Sequence, residues 1–177
     1  MLYNLFLIGS LLFAFLLLFV VFSSFLGFLL TRVPFAPTRR ADIEFIVKEL
    51  GVSSKDVFYD LGCGNGKVVF LVEKLTGAKT RGFELTWWTY IWARLKKLII
   101  GSKAEFSNKN FFKADWSGAT IIYGYLYPML MGQIQEKFKA EMRPGSLAII
   151  RDFPFPDLKP EKVFHMPKKH EIYIYKK

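Results

Sequence analysis

The sequence predicts an α/β domain, a mostly parallel, doubly wound sheet with helices on both faces, carried on one N-terminal transmembrane helix. Three observations predict it. Strand-like and helix-like runs alternate from residue 39 onwards, a glycine-rich turn joins the first strand to the next helix, and the first 31 residues carry no charge. At 177 residues the chain suits one domain of roughly 100 to 200 residues plus an appendage, and excludes a multidomain enzyme. A single cysteine excludes an intramolecular disulfide and cysteine-rich metal sites. Two histidines, His165 and His170, leave little for a histidine metal site or triad, so no metal is expected.

The appendage comes first. From Leu2 to Leu30 the chain is apolar apart from Asn4, Ser10, Ser23 and Ser24, long enough to cross a hydrocarbon core of roughly 30 Å. A helix apolar all round could not be covered by so small a domain. A cleavable signal peptide is disfavoured: no positive residues precede the run, the run is too long, and no small-residue cleavage site follows. Residues 1–31 are therefore expected to be an anchor and 32–177 the functional domain. Arg32, Arg39 and Arg40 flank the span on its C-terminal side, which places the domain in the cytoplasm or its topological equivalent. With no Arg/Ser-rich transit segment ahead of the span, a prokaryotic plasma membrane is favoured over an organellar one. The net charge of +10 reads as attraction to an anionic lipid bilayer, the expected partner, before it reads as nucleic-acid binding, which is not expected.

The domain's elements follow from periodicity and punctuation. Ile43, Ile46, Val47 and Leu50 share a helical face over 39–50, and Gly51 stops the helix. Val57-Phe58-Tyr59 is a short β-prone run, the glycine turn follows, and a helix runs from Lys67 to Leu75 with Gly77 as its stop. Strands are predicted at 80–85, 104–107, 120–127 and 147–152, with helices at 87–100 and 129–142 between them. The tail offers 162–165 and an alternating, edge-like 171–175.

The chemistry centres on Asp60-Leu61-Gly62-Cys63-Gly64-Asn65-Gly66. Glycines at alternate positions let backbone approach a nucleotide-like ligand, but the Gly-Lys-Ser/Thr of a phosphate-gripping loop is missing. Asp60 at the strand end would repel phosphate and suits an ammonium group. Glu84, at the end of the next predicted strand, stands where a carboxylate accepts hydrogen bonds from ribose hydroxyls. An adenosine bearing an amino acid instead of phosphates is S-adenosylmethionine, the expected cofactor. Cys63 reads as a small space-filler, since no base accompanies it. Asp115 and Trp116, after the third predicted strand, are candidates for meeting the adenine amino group and flanking its ring, against the alternative of a surface turn.

Through Tyr59-Asp60-Leu61-Gly62-Cys63-Gly64-Asn65-Gly66 and Gly82-Phe83-Glu84-Leu85 the chain resembles the class I, seven-stranded methyltransferases. It is similar, more narrowly, to the small membrane-anchored lysine methyltransferases whose mitochondrial members modify the ADP/ATP carrier and the ATP synthase c subunit. The span, Pro34-Phe35-Ala36-Pro37-Thr38, Tyr123-Gly124 with Pro128-Met129, and Phe153-Pro154-Phe155-Pro156 carry that narrower resemblance. It implies a Rossmann-like seven-stranded sheet with an antiparallel C-terminal strand, cofactor contacts at Asp60, Gly62, Gly64, Glu84 and Thr38, and N-methylation of a lysine on a membrane-associated protein. Three features depart from the family pattern: a longer segment between Gly124 and Pro128, Asn65 where an acid is common, and a short connection between strands three and four.

Methyl transfer is an in-line displacement that needs positioning and a desolvated nucleophile. For a lysine acceptor, unperturbed pKa about 10.4, the site must also favour the neutral amine. The predicted strand ends present Tyr123, Tyr125, Tyr127 and Asp152; Tyr125 is the first candidate to line the acceptor channel and Asp152 the second, with ordinary packing as the alternative for each tyrosine. Trp87, Trp88 and Trp92 could help the domain lie on a bilayer. A lipid or small hydrophobic acceptor, and a catalytically silent scaffold, remain open as alternatives.

Overall fold

The computed structural model describes residues 2–31, 38–167 and 170–177. The proline motif at 34–37 and Arg32 lie outside the described residues. Helix α1 (Leu2–Thr31) is one uninterrupted helix whose stretch Tyr3–Phe22, mean hydropathy 3.0, is long and apolar enough to cross a membrane and is not buried by the rest of the chain.

The remaining elements are α2 (Arg40–Glu49), β1 (Val57–Leu61), α3 (Lys67–Thr76), β2 (Lys79–Phe83), α4 (Trp87–Ile100), β3 (Glu105–Ser107), a 3-10 turn (Phe111–Lys113), β4 (Ile121–Gly124), α5 (Pro128–Glu141), β5 (Leu147–Arg151), β6 (Lys162–Met166) and β7 (His170–Lys176). The seven strands form one sheet in the order β3-β2-β1-β4-β5-β7-β6. Strands β1 to β5 are mutually parallel, and β7 inserts antiparallel between β5 and β6. The mostly parallel sheet with an antiparallel C-terminal strand is the one expected from the sequence.

Alternation along the strands feeds two cores. Phe58, Ile121, Tyr123, Ile149, Ile172 and Ile174 face α2 and α3, where Ile43, Ile46, Val68 and Val72 complete the layer. Tyr59, Leu61, Ile122, Ala148, Ile150 and Tyr175 face the other way, onto Ile134 and Phe138 of α5 and onto Trp116 and Phe155. Burying an aliphatic side chain of this size is worth roughly 1.5–3 kcal/mol, so these layers fix which strand ends lie together. The strand order reverses between β1 and β4, and at such a switch point the C-terminal strand ends open a crevice.

Strands β2 to β5 are each shorter than expected, and the trims of β4 and β5 matter for the site. Strand β4 stops at Gly124, and residues 125–127 form an extended connection that hands over to α5 at Pro128. Strand β5 stops at Arg151, and Asp152 beyond it adopts φ 65, the one left-handed non-glycine among the described residues.

Candidate functional site

At the end of β1 the chain must reverse into α3 within five residues. Gly62, Gly64 and Gly66 take φ of 81, 53 and 76, a left-handed conformation that costs a side-chain-bearing residue roughly 1–2 kcal/mol each time. The loop is bolted to β2: the backbone N–H groups of Gly62 and Cys63 both donate to the Phe83 carbonyl at 2.9 Å. Gly82 makes this approach feasible, since a Cβ there would sit 2.5 Å from the Cys63 sulfur. Glu84 adds a third tie, accepting from the Gly64 N–H at 2.8 Å and the Thr86 N–H at 2.7 Å. A carboxylate has about four acceptor positions, so two remain for a ligand.

Asp60 lies beneath this loop, 3% exposed, paired in register with Gly82 on one side and Tyr123 on the other. Burial, and secondarily the negative charge of Glu84, push its carboxyl up to about 8. Two acids held together at a switch point favour a cationic ligand group. The same burial and the same two acids push the Cys63 thiol up as well, so the buried cysteine is a packed thiol against Gly82 and not a nucleophile. Thr38 belongs to this cluster: its hydroxyl and that of Tyr123 are 2.9 Å apart, and Lys67 at the start of α3 donates to its carbonyl at 2.8 Å. Burial raises the Tyr123 hydroxyl far above its ordinary range, so it stays neutral.

A second cluster lies beyond β4 and β5. Arg151 is 3% exposed, stacks over the Tyr125 ring at 4.4 Å, and stands 3.3 Å from Asp42 and 3.5 Å from Asp152. Asp42, 2% exposed, also receives Arg39 through two hydrogen bonds of 2.8 and 3.1 Å. Asp152 is locked from the far side, donating its N–H to the Glu171 carbonyl at 2.8 Å and accepting from the Glu171 N–H at 3.2 Å. Burial, then the charge of and hydrogen bond to Asp152, raise the Tyr125 hydroxyl. Asp152, Phe153, His165, Met166, His170 and Glu171 line a cleft of about 510 Å³ beside this group.

The structure thus brings together Thr38, Asp60, Gly62, Gly64 and Glu84 at one place, and Tyr125 and Asp152 next to them at the same end of the sheet. It does not bring Asp115 and Trp116 there. Asp115 accepts from the N–H and hydroxyl of Ser117, an exposed turn, and Trp116 is wholly buried under Lys137. The backbone N–H of Trp116 donates to Glu141 at the end of α5 and its indole N–H to the Phe111 carbonyl, which puts the pair at the N-terminal end of β4, away from the glycine loop. The expectation failed because the connection from β3 reaches the far end of the sheet before that strand starts. The residue beside the loop is instead Asn108, directly after β3, whose side chain donates to the Glu84 and Leu85 carbonyls. Asn108, Arg151 and Asp42 were missed; the one sequence signal was Asp42, an acid next to Ile43 on the apolar face of α2.

Comparison with known proteins agrees with this geometry. Residues 60–162 match the ANTKMT methyltransferase domain family. The chain is 26% identical over 153 residues to a protein-lysine N-methyltransferase of Saccharolobus islandicus, covering 81% of this chain and 93% of that one. It is 28% identical to the human lysine N-methyltransferase named for the ATP synthase c subunit, a match over 74% of this chain and 56% of the human protein. Among solved structures, an RNA methyltransferase from Salinibacter ruber in complex with S-adenosyl-L-homocysteine superposes with TM-score 0.76 at 25% identity, covering 80% of this chain and 93% of that one.

Proposed function

Because this chain belongs to the ANTKMT methyltransferase domain family and is an S-adenosylmethionine-dependent methyltransferase, we propose that it N-methylates a lysine of a membrane-associated protein from the end of an N-terminal membrane span. The observation that carries the reading is the buried Asp60 and the half-buried Glu84 at a glycine loop, with an aromatic and acidic cluster opening beside them.

The residues fit the cofactor. Asp60, whose carboxyl is held up near 8 by burial and by Glu84, gains most from a cation, and the amino group of the methionine part supplies one. The free acceptor positions of Glu84 suit the ribose hydroxyls, and Thr38 with Tyr123 closes the Asp60 side. When bound, S-adenosylmethionine supplies a methyl group activated by a sulfonium. Gly62 and Gly64 present bare backbone where a side chain would exclude it.

The acceptor amine must arrive neutral and aimed in line. Asp152 can accept a hydrogen bond from the acceptor amine, and Tyr125 offers a hydroxyl that stays un-ionised at neutral pH. Arg151 braces both, with its guanidinium over the Tyr125 ring and 3.3 and 3.5 Å from Asp42 and Asp152. Tyr125 and Asp152 are thus the proposed acceptor-handling residues, and the site asks for no metal.

Membrane anchoring by α1 supports the choice of substrate, since a tether raises the local concentration of embedded targets. Arg39 and Arg40 follow the span and favour a cytoplasmic domain, with a prokaryotic plasma membrane as the site. The test is incubation of the full-length chain and methyl-labelled cofactor with membranes, followed by separate extraction of lipid, RNA and protein. Label in protein that hydrolyses to methyl-lysine is expected. Label in the lipid extract or in RNA would replace lysine as the acceptor.

A further inference from the structure

Helix α4 is built inside out. Its buried residues are the small Thr89 and Ala93, four apart on one face. The rest of its surface carries Trp87, Trp92, Leu95, Leu98, Ile99 and Ile100, all exposed and mostly at three- and four-residue spacing. Trp92 is 58%, Leu98 76% and Ile99 84% exposed. A solvent-facing helix normally shows the reverse pattern, and a contiguous exposed apolar stripe marks a surface that is covered in use.

We propose that this face of α4 lies in the headgroup region of the bilayer and turns the mouth of the active site toward the membrane. The inference rests on the reading of α1 as a membrane span. Three observations select lipid as the occupant. First, the stripe is continuous with the apolar helix: Phe19 of α1 meets Trp87 edge to face at 6.4 Å. Tryptophan partitions to the interface between headgroups and acyl chains, and the exposed Trp87 and Trp92 sit at the N-terminal half of the stripe. Second, the helix carries Arg94, Lys96 and Lys97 and not one carboxylate, which suits anionic headgroups. Third, α4 begins three residues after Glu84, so seating its N-terminus at the interface brings the glycine loop and the acceptor cluster close to the membrane plane.

The test uses the full-length chain in vesicles of phosphatidylcholine and phosphatidylglycerol, some of whose acyl chains carry a shallow nitroxide quencher. In a Cys63→Ala background, Leu98→Cys is labelled with an environment-sensitive fluorophore, and Lys55→Cys, ahead of β1 at the other end of the sheet, serves as the reference. Flotation after alkaline carbonate washing reads the anchor by itself. The expected result is a floated protein whose Leu98 label is blue-shifted and at least several-fold more quenched than the Lys55 label. A floated protein whose two labels are equally wet overturns the proposal and leaves the anchor standing. A Leu98 label shielded from lipid quencher but self-quenched between chains gives the face to a second copy, and also overturns it. A protein that does not float removes the anchor and this proposal together. Trp92→Ser/Leu98→Ser/Ile99→Ser supplies the functional arm: several-fold slower methylation of an embedded acceptor at unchanged S-adenosylhomocysteine affinity is expected, and an unchanged rate counts against lipid seating.

Discussion

The two halves of the proposed active site are built from different materials. The cofactor end is organised by backbone: left-handed glycines, two N–H groups on one Phe83 carbonyl, and a Glu84 that accepts from two more. The acceptor end is organised by buried charge, with Arg39, Asp42, Arg151 and Asp152 bracing Tyr125. A backbone-built site can carry a costly side chain such as Asp60 without depending on it to fold. A charge-built site depends on every member, because a buried ion left without its partner keeps its desolvation cost.

The largest expected effect tests that dependence. Arg151→Met should lower the unfolding free energy by about 3 kcal/mol in urea titration, since it strips Asp42 and Asp152 of a buried cation; the remaining Arg39 keeps the loss from being larger. A variant as stable as the parent would show that the acceptor end does not need its charge network. Asp60→Asn should do the opposite. It is expected to lose roughly 10- to 100-fold in S-adenosylhomocysteine affinity by calorimetry, the worth of a charged hydrogen bond. Yet the ligand-free protein should melt no lower at pH 7. The folded carboxyl sits near 8, above its unfolded value near 4, so its contribution to stability is complete below about pH 4 and is lost as pH rises towards 8. Asparagine removes that loss. A lower melting temperature would mean that Asp60 is structural.

The same contrast explains what could be read from the residues alone. Asp60, Gly62, Gly64 and Glu84 were legible because backbone geometry writes itself into local sequence: glycine takes those φ values at least cost, and the acid follows just past the next strand. The seven strands were legible for the same reason, through alternation and punctuation. At the acceptor end Tyr125 and Asp152 were named from their places at the strand ends, but the buried charges that brace them were not. Arg151 looks like one more polar residue ending an apolar strand, and its partner Asp42 is more than a hundred positions away on α2. Asp115 and Trp116 misled because sequence distance from β3 says nothing about which end of the sheet a connection visits. Trp87 and Trp92 fit helical periodicity perfectly well, and only the fold shows that the periodic face points outward.

A pH series sharpens the electrostatic half of the comparison. If the ligand binds ionised Asp60, its affinity should rise about tenfold per pH unit between pH 6 and 8 and level off near 8, where the free carboxyl is already charged. Calorimetry of S-adenosylhomocysteine across that window reads it directly. A flat profile for the parent, or an equal slope for Asp60→Asn, would take the ammonium away from Asp60.

The smallest effect is expected at the acceptor end, and it separates positioning from binding. Tyr125 keeps its ring under Arg151 whether or not it has a hydroxyl, so Tyr125→Phe should leave folding and S-adenosylhomocysteine affinity unchanged. What it removes is one hydrogen bond near the incoming amine, worth about 1 kcal/mol, which predicts a roughly fivefold lower kcat on the lysine acceptor. Tyr125→Leu loses the cation–π contact as well and should add a modest drop in stability, because Arg151 would then face an aliphatic group in place of a ring. If phenylalanine and leucine cost the same in kcat and in melting temperature, Tyr125 is a packing residue, and Asp152 alone would be left to receive the amine.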